Sequence, residues 1–139
     1  MDFHLQNRVA FITGGSRGIG RAVALKLAGE GANVVLCGRT EENLTRTVSE
    51  LKAKGVKAWG LKADVSQMVH IEKFVNTALE KAGRIDILVN NAVTSTSAPF
   101  DTLTDEEFRY HIDVKLLAYI RIARLVLPHM IKQLSLIHI

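Results

Sequence analysis

Short runs of apolar, often β-branched residues alternate four times with stretches whose apolar positions recur at helical spacing. "RVAFIT" (residues 8–13) reads as a buried strand. It runs into the glycine-rich turn "GGSRGIG", after which Ile19, Ala22, Val23 and Leu27 predict a helix over residues 18–30, with Gly31 beyond its end. "NVVLC" (33–37) is the second strand, and Thr40 stands where it can cap a helix carrying Leu44, Val48 and Leu51 and stopped by Gly55. "VKAWGLKA" (56–63) is the third strand. The helix after it has Met68, Ile71, Val75, Ala78 and Leu79 on one side and Gly83 at its end. "IDILVN" (85–90) reads as a fourth strand. Past the Pro99 loop, Thr104 and Glu107 make a T-x-x-E capping box that opens a long helix towards Pro128, where a ring without an amide proton predicts a kink or break.

Strand and helix alternating in this way, joined by right-handed crossovers, give an open parallel sheet with helices on both faces. The expected fold is therefore one doubly wound α/β domain, Rossmann-like, with no repeat and no low-complexity linker.

Composition narrows the field of partners. With 139 residues, 47% hydrophobic and 23% charged, the chain can bury a core and is not a disordered segment. Its net charge is +4, but the basic residues are scattered and no aromatic stripe accompanies them, so no nucleic-acid partner is expected. No apolar run approaches the roughly 20 residues of a spanning helix, and "MDFHLQNRVAF" lacks the basic and apolar regions of a signal peptide. The lone Cys37 cannot form an internal disulfide; together these features fit a cytoplasmic protein with no membrane partner. At a strand end Cys37 is expected to be packed rather than reactive. His4, His70, His111, His129 and His138 form no ligand cluster, so no metal site is expected.

The candidate chemistry lies in the turn that runs from Thr13 through Gly14, Ser16, Arg17, Gly18 and Ile19 to Gly20. Where a strand ends and a helix begins, backbone N–H groups are unpaired and the helix dipole favours an anion. Glycine there removes the side chain that would keep a pyrophosphate away; a tight turn with close packing would also require it.

"TGGSRGIG" has the spacing T-G-x-x-x-G-x-G and resembles the short-chain dehydrogenase/reductase family. Asp64 and Val65 after the third strand resemble that family's adenine-holding aspartate segment, and Asn90, Asn91 and Ala92 resemble its Asn-Asn-Ala-Gly segment after the fourth. The resemblance runs from residue 5 to about 133 and corresponds to the family's N-terminal portion. It implies strand order 3-2-1-4, with the glycine turn and Asn90 to Ala92 flanking one crevice at the switch point. It also implies hydride transfer between a nicotinamide and a small-molecule carbonyl or secondary alcohol, in a homo-oligomer formed through the long fourth helix and its neighbour. Asp64 would hold the adenine, although it could also cap the following helix. For Asn90 and Asn91 the family implies a structural role in the crevice, and turn chemistry is the alternative.

After the second strand a carboxylate would bond a ribose 2′-hydroxyl and repel a 2′-phosphate. Here Gly38, Arg39 and Thr40 intervene before the first acid, Glu41. Arg39 can pair bidentately with a 2′-phosphate, and Arg17 is a second cation, unless both are solvated surface arginines. The expected cofactor is accordingly NADP rather than NAD.

The family's proton-transfer residues are a serine, a Tyr-x-x-x-Lys pair and a helix asparagine. The chain has two tyrosines; Val114 follows Tyr110 by four residues and Ala123 follows Tyr119. Both tyrosines therefore read as packing residues of the long helix, and Lys115 occupies the asparagine's place. Val93 replaces the glycine after Asn-Asn-Ala and resists positive φ, which predicts a differently shaped loop "VTSTSAPF", its hydroxyls lining a substrate pocket or simply solvated. By itself the chain is expected to be inactive. The alternatives are a non-catalytic dinucleotide-binding regulatory or interaction module and a nucleotide-free structural module.

The last residues, "LSLIHI", bring no glycine turn. One back-translation of 134–139, CTG TCT CTT ATA CAC ATC, resembles the transposon mosaic end used in sequencing-library preparation. Residues 1–133 are thus expected to be the domain, truncated, and 134–139 a non-native tail, with a genuine short apolar tail as the alternative. Truncation predicts an exposed apolar edge on the fourth strand, unpartnered apolar surface on the long helix, and association.

Overall fold

The computed structural model describes residues 3–94, 98–134 and 137–138. Strands β1 (Val9–Thr13), β2 (Asn33–Gly38), β3 (Ala58–Lys62), β4 (Ile87–Val89) and β5 (Ile137–His138) form one sheet in the order β3-β2-β1-β4-β5, every pair parallel. The sequence is read correctly in the first four strands and their order.

The sheet divides the core because successive side chains point to opposite faces. Val9, Phe11, Val35, Cys37 and Leu88 face α3 (Met68–Ala82) and α5 (Ala118–Lys132), with the Phe11 and Phe74 rings tilted at 54° and 5.8 Å apart. Ala10, Ile12, Val34, Leu36, Ile87 and Val89 face α1 (Gly18–Gly29) and α2 (Glu41–Lys52). All five residues of β1 are buried, as a central strand covered on both sides requires.

Three features depart from the sequence pattern. On α1 the buried row is Gly20, Ala24 and Ala28, whereas Ile19 is 78% exposed. Small residues let this helix lie close to the sheet, and that closeness decides its orientation over the count of large apolar side chains. The long helix is not interrupted at Pro128, which α5 contains. It changes character earlier, where α4 (Asp105–Ile112) passes through a π-helical turn, Asp113–Leu117, into α5. The wider turn belongs to a buried row at four-residue spacing, Val114, Ala118, Ile122, Val126 and Met130. Third, β4 is not a bare edge. β5 pairs with it, Ile87 opposite Ile137 and Leu88 opposite His138, after a turn in which Leu134 takes φ 53° and is 97% exposed.

The capping box forms as expected: Glu107 N donates to Thr104 Oγ1 at 3.2 Å and Thr104 N donates to Glu107 Oε2 at 2.9 Å. The Thr104 backbone and hydroxyl together hold the Glu107 carboxyl below its ordinary range. Thr40 occupies the N-cap of α2, yet its side chain makes no capping bond. Outward on the long helix, Ile112, Leu116, Ile120, Leu127 and Ile131 are exposed. Among the described residues no helix is long and apolar enough to cross a membrane.

One buried charge ties the bottom of the sheet. Asp86, 1% exposed, accepts from Val9 N at 2.8 Å, Arg8 Nη1 at 3.1 Å and Arg84 Nε at 2.8 Å. The hydrogen bond to Asp86 raises the Arg84 pKa further above its ordinary value. Asp86→Ala leaves the Val9 amide without this acceptor inside the sheet; urea unfolding is expected to show a loss of about 2 kcal/mol. Arg8→Ala, whose side chain is 44% exposed, is expected to cost less than about 1 kcal/mol.

Candidate functional site

A cleft of about 600 Å³ opens at the carboxyl ends of β1, β2, β3 and β4. Of the positions singled out in the sequence, Gly14, Ser16, Arg17, Gly18, Ile19, Arg39, Asp64, Val65, Asn91 and Ala92 line it. Thr13, Gly20 and Asn90 do not line it, and the first two build its floor. Lys115 is exposed on the π-helical turn; its neighbour Val114 is the residue that faces the cleft.

The floor is a reciprocal bond between two strand ends. Thr13 Oγ1 accepts from the backbone N–H groups of Asn91 and Ala92, both at 3.0 Å. In return Asn91 Nδ2 donates to the carbonyls of Thr13 and Gly14, each at 3.1 Å. The glycines follow from this contact. A Cβ on Gly14 would lie 2.9 Å from Ala92 Cα, and one on Gly20 would collide with the Gly14 carbonyl and with Asn91 Nδ2. Gly18 has empty space around it and needs glycine for another reason, its φ of +55°.

The turn is anchored on its other side as well. Gly15 N donates to Cys37 O at 3.1 Å, and the Thr47 hydroxyl on α2 donates to Ser16 O at 3.1 Å. Arg17 is the N-cap residue of α1, and no side chain caps that helix end. Its first N–H groups therefore keep their capacity to bind an anion from the cleft.

Around the rim, Asp64 Oδ1 accepts from Ser66 N at 2.9 Å, while Gln67 is the N-cap of α3. Asp64 thus shapes the turn before the helix and does not cap it. Val65 is buried against the α3 side of the core. The loop after β4 is held by two helices: Tyr119 Oη donates to Ala92 O at 2.9 Å, and Thr94 Oγ1 lies 2.5 Å from His111 Nδ1. Burial raises the Tyr119 hydroxyl above its ordinary pKa. Val93, 63% exposed, avoids positive φ. The expected substrate-facing hydroxyls at residues 95–97 lie outside the described residues. Cys37 is fully buried, and desolvation pushes its thiol up to about 12.

Sequence reasoning missed one cleft residue with chemistry of its own. Tyr110, read as helix packing, does pack on the core, but its hydroxyl also accepts from Arg39 Nη1 at 3.0 Å. Seventy-one residues separate the pair, and no local pattern signals such a contact. Among the described residues, no group of three His, Cys, Asp or Glu could hold a metal ion.

Comparison with known proteins agrees with this geometry. The family model for short chain dehydrogenase matches residues 8–135. The oxidoreductase UcpA of Salmonella typhimurium is 36% identical over 129 residues, covering 93% of this chain and 49% of UcpA. A metagenomic short-chain oxidoreductase solved with NADP superposes with a TM-score of 0.88 at 38% identity, over 94% of this chain and 60% of that one. An NAD+-bound xylitol dehydrogenase superposes with a TM-score of 0.88 at 27% identity, over 94% and 51%. The chain spans about half the length of the curated relatives it matches.

Gly20→Ala is expected to unseat the turn from Asn91 and to cost about 3 kcal/mol by thermal or urea unfolding. Gly18→Ala carries only the left-handed backbone penalty of about 1 kcal/mol. The Cys37 thiol is expected to resist alkylation at pH 8 in the native protein and to react fully once urea unfolds it.

Proposed function

This chain belongs to the short-chain dehydrogenase family, and from that premise we propose that its cleft binds NADP(H) for hydride exchange with a small-molecule carbonyl or alcohol. The carrying observation is the uncapped start of α1 facing the cleft, behind a turn in which Gly14 and Gly18 have positive φ and leave the backbone bare. In this reading the N–H groups at Gly18 and Ile19 take the pyrophosphate, with Gly20 letting the turn close behind them. Asp64 and Val65 hold the adenine, and Ala92 with Asn91 bounds the path towards the nicotinamide.

Family membership alone does not choose between the two dinucleotides, since one structural neighbour carries NADP and another NAD+. Local chemistry favours the phosphorylated one. Gly38, Arg39, Thr40 and Asn43 line this part of the cleft without a carboxylate, and Arg39 offers a forked cation. Arg17, exposed at the head of α1, adds a second positive charge on the phosphate side.

A bound nicotinamide would supply or accept the hydride; in this reading neither tyrosine supplies the accompanying proton. The Tyr119 hydroxyl donates to Ala92 O and the Tyr110 hydroxyl accepts from Arg39, with no lysine one turn after either. Proton transfer would therefore fall to residues outside these 139, and the apolar outer face of α4 and α5 would be covered in a homo-oligomer of the whole protein. A second reading, a dinucleotide-binding module without catalysis, is favoured by Lys115, which replaces the family's asparagine and points away from the cleft.

Calorimetric titration of the chain with NADPH and NADH tests the proposal. NADPH is expected to bind about tenfold more tightly, the worth of one charge-assisted contact. Arg39→Ala should abolish that preference, and no carbonyl substrate should be turned over. Failure of both dinucleotides to bind would refute the reading.

A further inference from the structure

We infer that Tyr110 is a specificity-determining residue for a ribose phosphate: its hydroxyl fixes Arg39 across the cleft and completes a donor-only site for a phosphate monoester on adenosine. This rests on the nucleotide reading above and assigns a role to a side chain with no place in the family's motifs.

Arg39 leaves the end of β2 into solvent, and an exposed guanidinium on a flexible stem has many rotamers to lose before it can grip a ligand. Tyr110 stands on α4, on the far side of the cleft, with a ring packed against the core. The ring is therefore a fixed post, and the 3.0 Å bond from Arg39 Nη1 to Tyr110 Oη tethers the guanidinium to it. Arginine has five N–H donors in a planar fork, and the tether uses one at Nη1. The tyrosine oxygen accepts that bond and keeps its own proton, for which the described residues supply no acceptor.

Both residues line the cleft, so the Arg39 N–H groups not spent on Tyr110, and the Tyr110 hydroxyl proton, are left for a ligand there. The carboxylate lining the cleft, Asp64, has one oxygen committed to Ser66 N. A set of donors without an obligate acceptor suits a dianionic phosphate, which only accepts, better than a ribose hydroxyl, which must also donate. Coulomb attraction to Arg39 alone would favour any anion; the tethered fork and hydroxyl select one at a defined place.

Adenosine 2′,5′-bisphosphate and adenosine 5′-monophosphate, titrated calorimetrically into the full chain, are the probes. The wild type is expected to prefer the bisphosphate. Tyr110→Phe keeps the ring, and circular dichroism confirms the fold. It is expected to lose about five- to tenfold in bisphosphate affinity while the monophosphate stays within about twofold. In an Arg39→Ala background, Tyr110→Phe should have much less effect, because the tyrosine acts largely through the arginine. A wild-type preference that Tyr110→Phe leaves unchanged or increases overturns the role of Tyr110 and spares the nucleotide reading. Equal binding of the two probes by the wild type overturns the phosphate site. Binding of neither overturns the nucleotide reading as well.

Discussion

A threonine hydroxyl accepting two backbone N–H groups is the contact on which the rest of the molecule is arranged. Thr13 ends β1, and Asn91 and Ala92 follow β4; these strands are neighbours in space and far apart in sequence. Parallel strands normally diverge beyond their last ladder bond, which is what opens a crevice at a switch point. Here the divergence is limited by the bonds to Thr13 and by the Asn91 amide on the carbonyls of Thr13 and Gly14. The cleft floor is tied by side-chain hydrogen bonds, and Gly14 and Gly20 answer to the space those bonds leave.

The walls have a different origin. Tyr119 and His111 reach the loop after β4 from α5 and α4, and Thr47 reaches the glycine turn from α2. Helices on both faces of the sheet thus converge on one end of it. A site held from both layers is preorganised: a ligand entering it meets groups already in position and does not have to order them.

Much of this was legible before any coordinates. Short apolar runs identify β1 and β2 as strands, and Thr104 with Glu107 marks a helix start, because these signals are local. The glycine spacing locates the turn for the same reason. Illegible were features set by contacts between distant segments. Ile19 looks like a core residue of α1 until Gly20 is seen pressed against Asn91, which turns the isoleucine outward. Pro128 looks like a break, yet the change in helical character comes at Asp113–Leu117, among residues with no breaker. Tyr110 looks like packing because Arg39 is two strands, two helices and a loop away along the chain.

α5 ends on a side chain that pairs with backbone. The Gln133 side chain donates from Nε2 to Ile85 O at 2.7 Å and accepts from Ile85 N at 3.2 Å, so its amide pairs with the backbone as a neighbouring strand would. Two residues further on, at Ile87, β4 begins and pairs with β5. An amide side chain has here copied one rung of a ladder ahead of the strand that continues it. The end of α5 is thereby pinned to the same edge of the sheet that β5 occupies.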